Sequence, residues 1–140
     1  TKYIGGREHV SVVFGQSYAV MRHAKAAVVN SGTASLECAL IGTPQVVAYK
    51  GAEINFLIAK MIIKIQYISL GNLILDRICF RELLQYYFTP DNVLNEVRRM
   101  IEDEEYRSAM LSGYQEIRDA LGGEGASAAV ARAMIGELRQ

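Results

Sequence analysis

Short, almost wholly apolar runs alternate with helical stretches through the first half of the chain, and this rhythm restricts the fold more than any other feature. Residues 10–14 read as a strand, 17–25 as a helix, 26–29 as a strand, 33–41 as a helix and 45–49 as a strand, a βαβαβ order. Runs such as Val12-Val13-Phe14 and Val28-Val29 do not alternate apolar with polar residues, as an edge hairpin would. They predict strands buried on both sides, and so a parallel sheet covered by helices on both faces in an α/β, Rossmann-like domain.

Helix limits follow from local chemistry. Gly42 stands where a C-terminal cap is expected and Pro44 prevents continuation, so the helix from Thr33 is short. Residues 52–64 read as a further helix. Thr89-Pro90 reads as an N-cap with proline in the first helical position, opening a long helical tail. Within it Val93, Val97, Met100 and Ile101 keep helical spacing, as do Met110, Tyr114, Ile117 and Leu121. Gly122-Gly123 breaks the run before a last helix from Ala126. The expected organisation is a core over residues 1–90 and a helical tail over 91–140 packed on the same domain.

A length of 140 residues, 51% hydrophobic and 21% charged, suits one globular domain with a real core. Fifteen Lys plus Arg offset fifteen Asp plus Glu. No long-range field is therefore available to hold a nucleic acid, and a phosphate has to be held locally. Cys38 and Cys79 fall in apolar or helical surroundings without metal-ligand spacing, which predicts buried thiols in a reducing cytosol and no disulfide. His9 and His23 are isolated, no metal site is expected, and His23 reads as a helix-end residue. No G-x-S-x-G nucleophile motif occurs, and Cys38 beside Leu36 and Leu40 reads as packing. Residues 102–105 read as a solvated helix junction. Neither a signal peptide nor a run of the ~20 apolar residues of a membrane span is evident. A start close to a strand and without Met is expected of a fragment of a larger protein.

The run from Val28 to Glu37 carries the chemistry. In open α/β sheets ligands bind beyond the carboxyl ends of the strands, where helix N-termini present free N–H groups. Gly32 permits a tight turn and close backbone approach, Ser31 and Thr33 add hydroxyls, and the helix dipole favours an anion. Glu37 follows Thr33 by four residues rather than the three of a capping box, so the two share a face. A carboxylate one turn behind a phosphate cradle accepts hydrogen bonds from the vicinal hydroxyls of a ribose. The alternative is that Ser31 or Thr33 merely caps the helix while Glu37 complements its dipole. The residues taken alone favour neither, and no Walker loop or G-x-G-x-x-G occurs.

Read in order, Gly15-Gln16-Ser17, then Ser31-Gly32-Thr33-Ala34-Ser35-Leu36-Glu37, then Thr43-Pro44-Gln45-Val46-Val47-Ala48-Tyr49-Lys50, resemble the lipid-A-disaccharide synthase family. Tyr67-Ile68-Ser69-Leu70-Gly71-Asn72-Leu73-Ile74 and Glu82-Leu83-Leu84-Gln85 resemble that family's sugar-site loop and the helix start after it. The resemblance covers residues 10–90 closely and the tail loosely. Where the family often has proline in these two runs, this chain has Gly71 and Arg81.

The resemblance implies the C-terminal, donor-binding half of a GT-B glycosyltransferase, with the N-terminal acceptor domain absent from this chain. It implies inverting, metal-independent transfer of a diacylglucosamine unit from a UDP-sugar donor to a lipid acceptor, with no cofactor. UDP would meet the backbone near Phe14, Gly15 and Gln16 through its uracil. Ser31, Gly32, Thr33 and Ala34 would hold its diphosphate, and Glu37 its ribose. Asn72, Glu82 and Gln85 would lie near the sugar, Glu82 and Gln85 on one face if that segment is helical, while the general base would belong to the missing domain. The implied place is the cytoplasm, at the inner face of a Gram-negative inner membrane. The apolar 52–64 helix with Lys60 and Lys64 suits contact with the membrane surface, and an exposed apolar face suits a homodimer. Competing expectations are a nucleotide-sensing or partner-binding module, and another UDP-sugar enzyme such as an epimerase.

Overall fold

The computed structural model describes residues 8–30, 32–51 and 66–122. Three strands, β1 (Ala27–Val29), β2 (Gln45–Tyr49) and β3 (Glu82–Leu84), form a parallel sheet in the order β1-β2-β3. The helices are α1 (Ser17–His23), α2 (Thr33–Ile41), α3 (Leu70–Leu75), α4 (Pro90–Glu102) and α5 (Glu104–Ala120). A 3-10 turn, Gln85–Tyr87, follows β3 directly.

Register decides which residues face which layer. Val28 pairs with Val46 and Ala48 with Leu83, so these four side chains share one face, against which α4 packs through Val93 and Val97. On the opposite face the Gln45 side-chain amide donates to the Ser35 carbonyl of α2, 2.7 Å away, and α5 brings Met110 Sδ to the Gln45 N–H. Helices thus cover both faces, as the unalternating strands predict. The core joins Val46, Val47, Phe80, Leu83, Met100, Met110, Tyr114 and Ile117, with Phe80 and Tyr114 edge to face at 6.0 Å.

Caps match the sequence where their chemistry is local. Gly42 closes α2 in the left-handed region at φ 93°, and its N–H reaches the Cys38 and Ala39 carbonyls. Thr89 Oγ1 accepts from the Asn92 N–H, and Pro90 opens α4. Asp103 ends α4 and caps α5 through its bond to the Tyr106 N–H, so the acidic run is a junction between two helices.

Three expectations are corrected. Residues 10–14 form no strand, and Phe14 is 84% exposed. A β-branched run becomes a strand only when a neighbour takes its backbone hydrogen bonds, and among the described residues none lies alongside. Glu82–Leu84 is a strand rather than a helix start, because the free edge of β2 takes its backbone bonds while Leu83 enters the core. Asn72, read as part of a loop, lies in α3 and is fully buried. Two lesser differences concern the tail, where Ile101 and Leu121 are exposed although their spacing matches the buried positions. The expected helices over 52–64 and from Ala126 lie outside the described residues.

Candidate functional site

β1 ends at Val29, and the chain turns through Gly32 into α2 on the carboxyl side of the sheet. Gly32 has φ 115° and ψ −154°, a conformation that side chains resist, and open space lies where its Cβ would stand. Among the described residues no side chain caps α2. Ser35 Oγ instead donates to the Gly32 carbonyl at 2.8 Å, and the Ser35 N–H reaches the same oxygen at 3.3 Å. Thr33 therefore does not cap its own helix, and the reading of this turn as a plain side-chain cap loses its Thr33 form. Ser31 lies outside the described residues.

Burial orients the rest of α2. Ser35, Cys38 and Ala39 face inward, while Thr33 is exposed and Glu37 half-buried, one turn apart on the opposite side. Ala34 is half-buried beside Thr33. Cys38 is packing: burial pushes its thiol up to about 11, and its Sγ lies 3.5 Å from the Thr43 carbonyl oxygen.

Phe14, Gly15 and Gln16 form the turn into α1, with Gly15 at φ 69° and Gln16 as the N-cap residue. Thr43 Oγ1 donates to the Met21 carbonyl at 2.6 Å and so ties α1 to the chain beyond α2. The two helices pack together, but among the described residues no hydrogen bond joins the 14–16 turn to Gly32 or Glu37.

Asn72 and Glu82 are brought together. Asn72 Nδ2 donates to Glu82 Oε1 at 2.9 Å, and Glu82 also accepts from the Ile68 and Ser69 N–H groups, each at 3.0 Å, and from Ser69 Oγ. Gln85 stands one residue beyond β3 and is buried. Glu82 and Gln85 do not share a helical face.

Sequence reasoning missed a crevice of about 340 Å³ at the carboxyl ends of β1 and β2, lined by Asn30, Tyr49, Lys50 and Phe88 among others. The signal was available, since Tyr49 ends a parallel strand and Lys50 follows it. Among the described residues no three His, Cys, Asp or Glu gather as a metal site, and no helix is long and apolar enough to cross a membrane.

Comparison with known proteins covers nearly the same ground. The model of the family described as Lipid-A-disaccharide synthetase matches residues 6–133. A lipid-A-disaccharide synthase from Acidobacterium capsulatum is 36% identical over 116 residues, 83% of this chain and 29% of that protein. Those from Trichlorobacter lovleyi and Syntrophus aciditrophicus are 33% and 36% identical, over 94% and 84% of this chain and 34% and 31% of their own lengths. The chain thus spans about a third of the length of these relatives. With the strand-to-helix turn, the parallel sheet and most of the tail inside the matched region, the chain belongs to the lipid-A-disaccharide synthase family.

Proposed function

We propose that this chain is the donor-binding part of a glycosyltransferase that moves 2,3-diacylglucosamine from UDP to the 6-hydroxyl of 2,3-diacylglucosamine 1-phosphate, with inversion. The observation that carries the reading is the turn at Gly32. Its backbone takes a conformation open to glycine, with free space where a Cβ would stand, among the described residues no side chain caps the helix behind it, and it lies inside the matched region. The first N–H groups of α2, with the Thr33 hydroxyl, hold the diphosphate and stabilise the charge that grows on UDP as it leaves. One well-placed donor of this kind contributes about 3 kcal/mol. Glu37, on the same side of α2 as Thr33, accepts from the ribose hydroxyls. The 14–16 turn meets the uracil through its backbone.

The acceptor hydroxyl needs a base to take its proton, and that base sits across the cleft from the donor, outside this chain. The 140-residue chain alone therefore binds UDP without turnover. Lipid substrates place the reaction at a membrane surface. Calorimetry tests the reading directly: UDP binds saturably, ADP does not, and Glu37→Ala weakens UDP by about tenfold or more, the worth of hydrogen bonds to a charged group. Absence of saturable UDP binding at millimolar concentration refutes it, as does measurable transfer by the isolated chain for the claim about turnover.

A further inference from the structure

Thr43 lies between the C-terminal cap of α2 and the start of β2, and four elements meet on it and its neighbour Pro44. It is only 3% exposed. Its N–H donates to the Cys38 carbonyl of α2 at 3.1 Å, and its hydroxyl donates to the Met21 carbonyl of α1 at 2.6 Å. Its own carbonyl accepts from the Tyr114 hydroxyl of α5 at 3.2 Å, and the Pro44 carbonyl accepts from the Ala27 N–H of β1 at 2.8 Å. The segment is thus a fixed point at the amino ends of the strands, opposite the donor site.

α1 depends on such a fixed point more than its neighbours do. Tertiary packing of an apolar face is what ordinarily holds a helix in place, yet none of the seven residues of α1 is buried. α1 leads into β1 and α2 leads out of it, so both run against the strands. Their C-terminal ends lie beside Thr43, and their N-terminal ends carry the 14–16 turn and the Gly32 turn. With no hydrogen bond joining those turns among the described residues, their spacing is set from the far end. At 1.5 Å per residue α1 is about 10 Å long, so a swing of about 10° at the Thr43 tie moves the 14–16 turn by about 2 Å. That is enough to break a hydrogen bond. Losing the hydroxyl leaves no orphaned acceptor, because the Met21 carbonyl also accepts from the Ala24 N–H at 3.1 Å.

We infer that Thr43 is a positioning residue for nucleotide recognition: through the Met21 carbonyl its hydroxyl sets where α1 presents the 14–16 turn to the base, while the hold of α2 on the diphosphate does not depend on it. α2 is anchored separately, since Ser35, Cys38 and Ala39 face inward and the Gly42 N–H closes its last turn. Thr43 itself touches no ligand. This role rests on the donor-site reading above and adds to it the bond that fixes the base-binding turn against the phosphate-binding one.

The test compares UDP with CDP, which share ribose and diphosphate and differ only in the base, by calorimetry and amide NMR on the 140-residue chain. The wild-type chain should prefer UDP. Thr43→Val keeps the branched shape without the hydroxyl, and Thr43→Ala removes both. Each should weaken UDP by roughly fivefold, the worth of one neutral hydrogen bond, with CDP little changed, so that the preference falls by the same factor. Shifts induced by UDP should fade at Gly15 and Gln16 and persist at Gly32 and Thr33. Thr43→Ser retains the hydroxyl and should restore the preference. An unchanged preference in folded Thr43→Val overturns the role, as does equal weakening of both nucleotides or a failure of Thr43→Ser to recover it. Unfolding of both Thr43→Val and Thr43→Ala overturns it too, because the bond is then needed for the fold as a whole. If the wild-type chain binds no UDP, the donor-site reading itself fails; if it binds UDP and CDP alike, the site stands but the base contact and the role of Thr43 fall.

Discussion

At Gly113 on α5 a Cβ would stand 2.4 Å from Cys79 Sγ, far inside contact distance. The two buried residues leave no room for a methyl group. Gly113→Ala should therefore destabilise the chain by about 1–3 kcal/mol, the usual range for overpacking, although alanine is the better helix former. Cys79→Ala in the same chain should restore much of the loss, since removing Sγ makes the space. Thermal denaturation of the two single variants and the double variant measures the coupling, and additive losses would show that the contact is not the cause. Nothing in Leu111-Ser112-Gly113-Tyr114 announces this constraint, because it is set by a residue more than thirty positions away. Gly32 differs in that its demand is local: a turn between a strand and a helix needs its conformation, and the sequence displays it. Gln85 shows the converse. Its left-handed backbone is imposed by the exit from β3 into a 3-10 turn, and glutamine carries no local signal for it.

Among the elements, α4 and α5 form a hairpin with one residue serving both ends. Asp103 closes α4 through its N–H to the Arg99 carbonyl and opens α5 through its carboxylate. The hairpin encloses Glu96, only 3% exposed, whose carboxylate accepts from the Tyr106 hydroxyl and lies 3.8 Å from an Arg81 nitrogen. The Arg99 guanidinium stacks over the Tyr106 ring at 3.8 Å. Asp103→Ala should cost about 1 kcal/mol, the worth of an N-cap, and Asp103→Ser should keep most of it. Urea denaturation reads the difference, and equal losses in the two variants would mean that the cap bond is not what matters. The start of α4 was legible because Thr89-Pro90 combines a capping hydroxyl with a preset φ in adjacent residues. β3 was not, because three residues bear too little periodicity to separate strand from helix, and the free edge of β2 made the choice.

Across the whole molecule, burial governs titration. Desolvation pushes the thiols of Cys38 and Cys79 from 9.0 up to about 11, and those of the Tyr106 and Tyr114 hydroxyls are raised further, by burial first. As pH climbs past 9, the unfolded chain releases thiol protons that the folded chain keeps, so the unfolded state binds fewer protons and stability falls. The denaturant midpoint should be level from neutral pH to about pH 8 and then decline toward about pH 11, the window set by the two thiols. A level midpoint across that window would contradict the burial of these groups. Both thiols should also resist alkylation near pH 8 until the chain unfolds. The layered parallel architecture, α2 with its glycine turn and C-cap, and the pairing of Thr33 with Glu37 on one side of α2 all follow from patterns of a few neighbouring residues. Steric and hydrogen-bonding demands act over that range, so they are written locally. Long-range partners chose the rest: residues 10–14 lie exposed because no described strand takes their hydrogen bonds, and Asn72 and Glu82 are saturated by each other and by backbone up to fourteen positions away. Whether a polar side chain is free to meet a ligand depends on what else has already claimed its donors and acceptors, and only folding brings those claimants together.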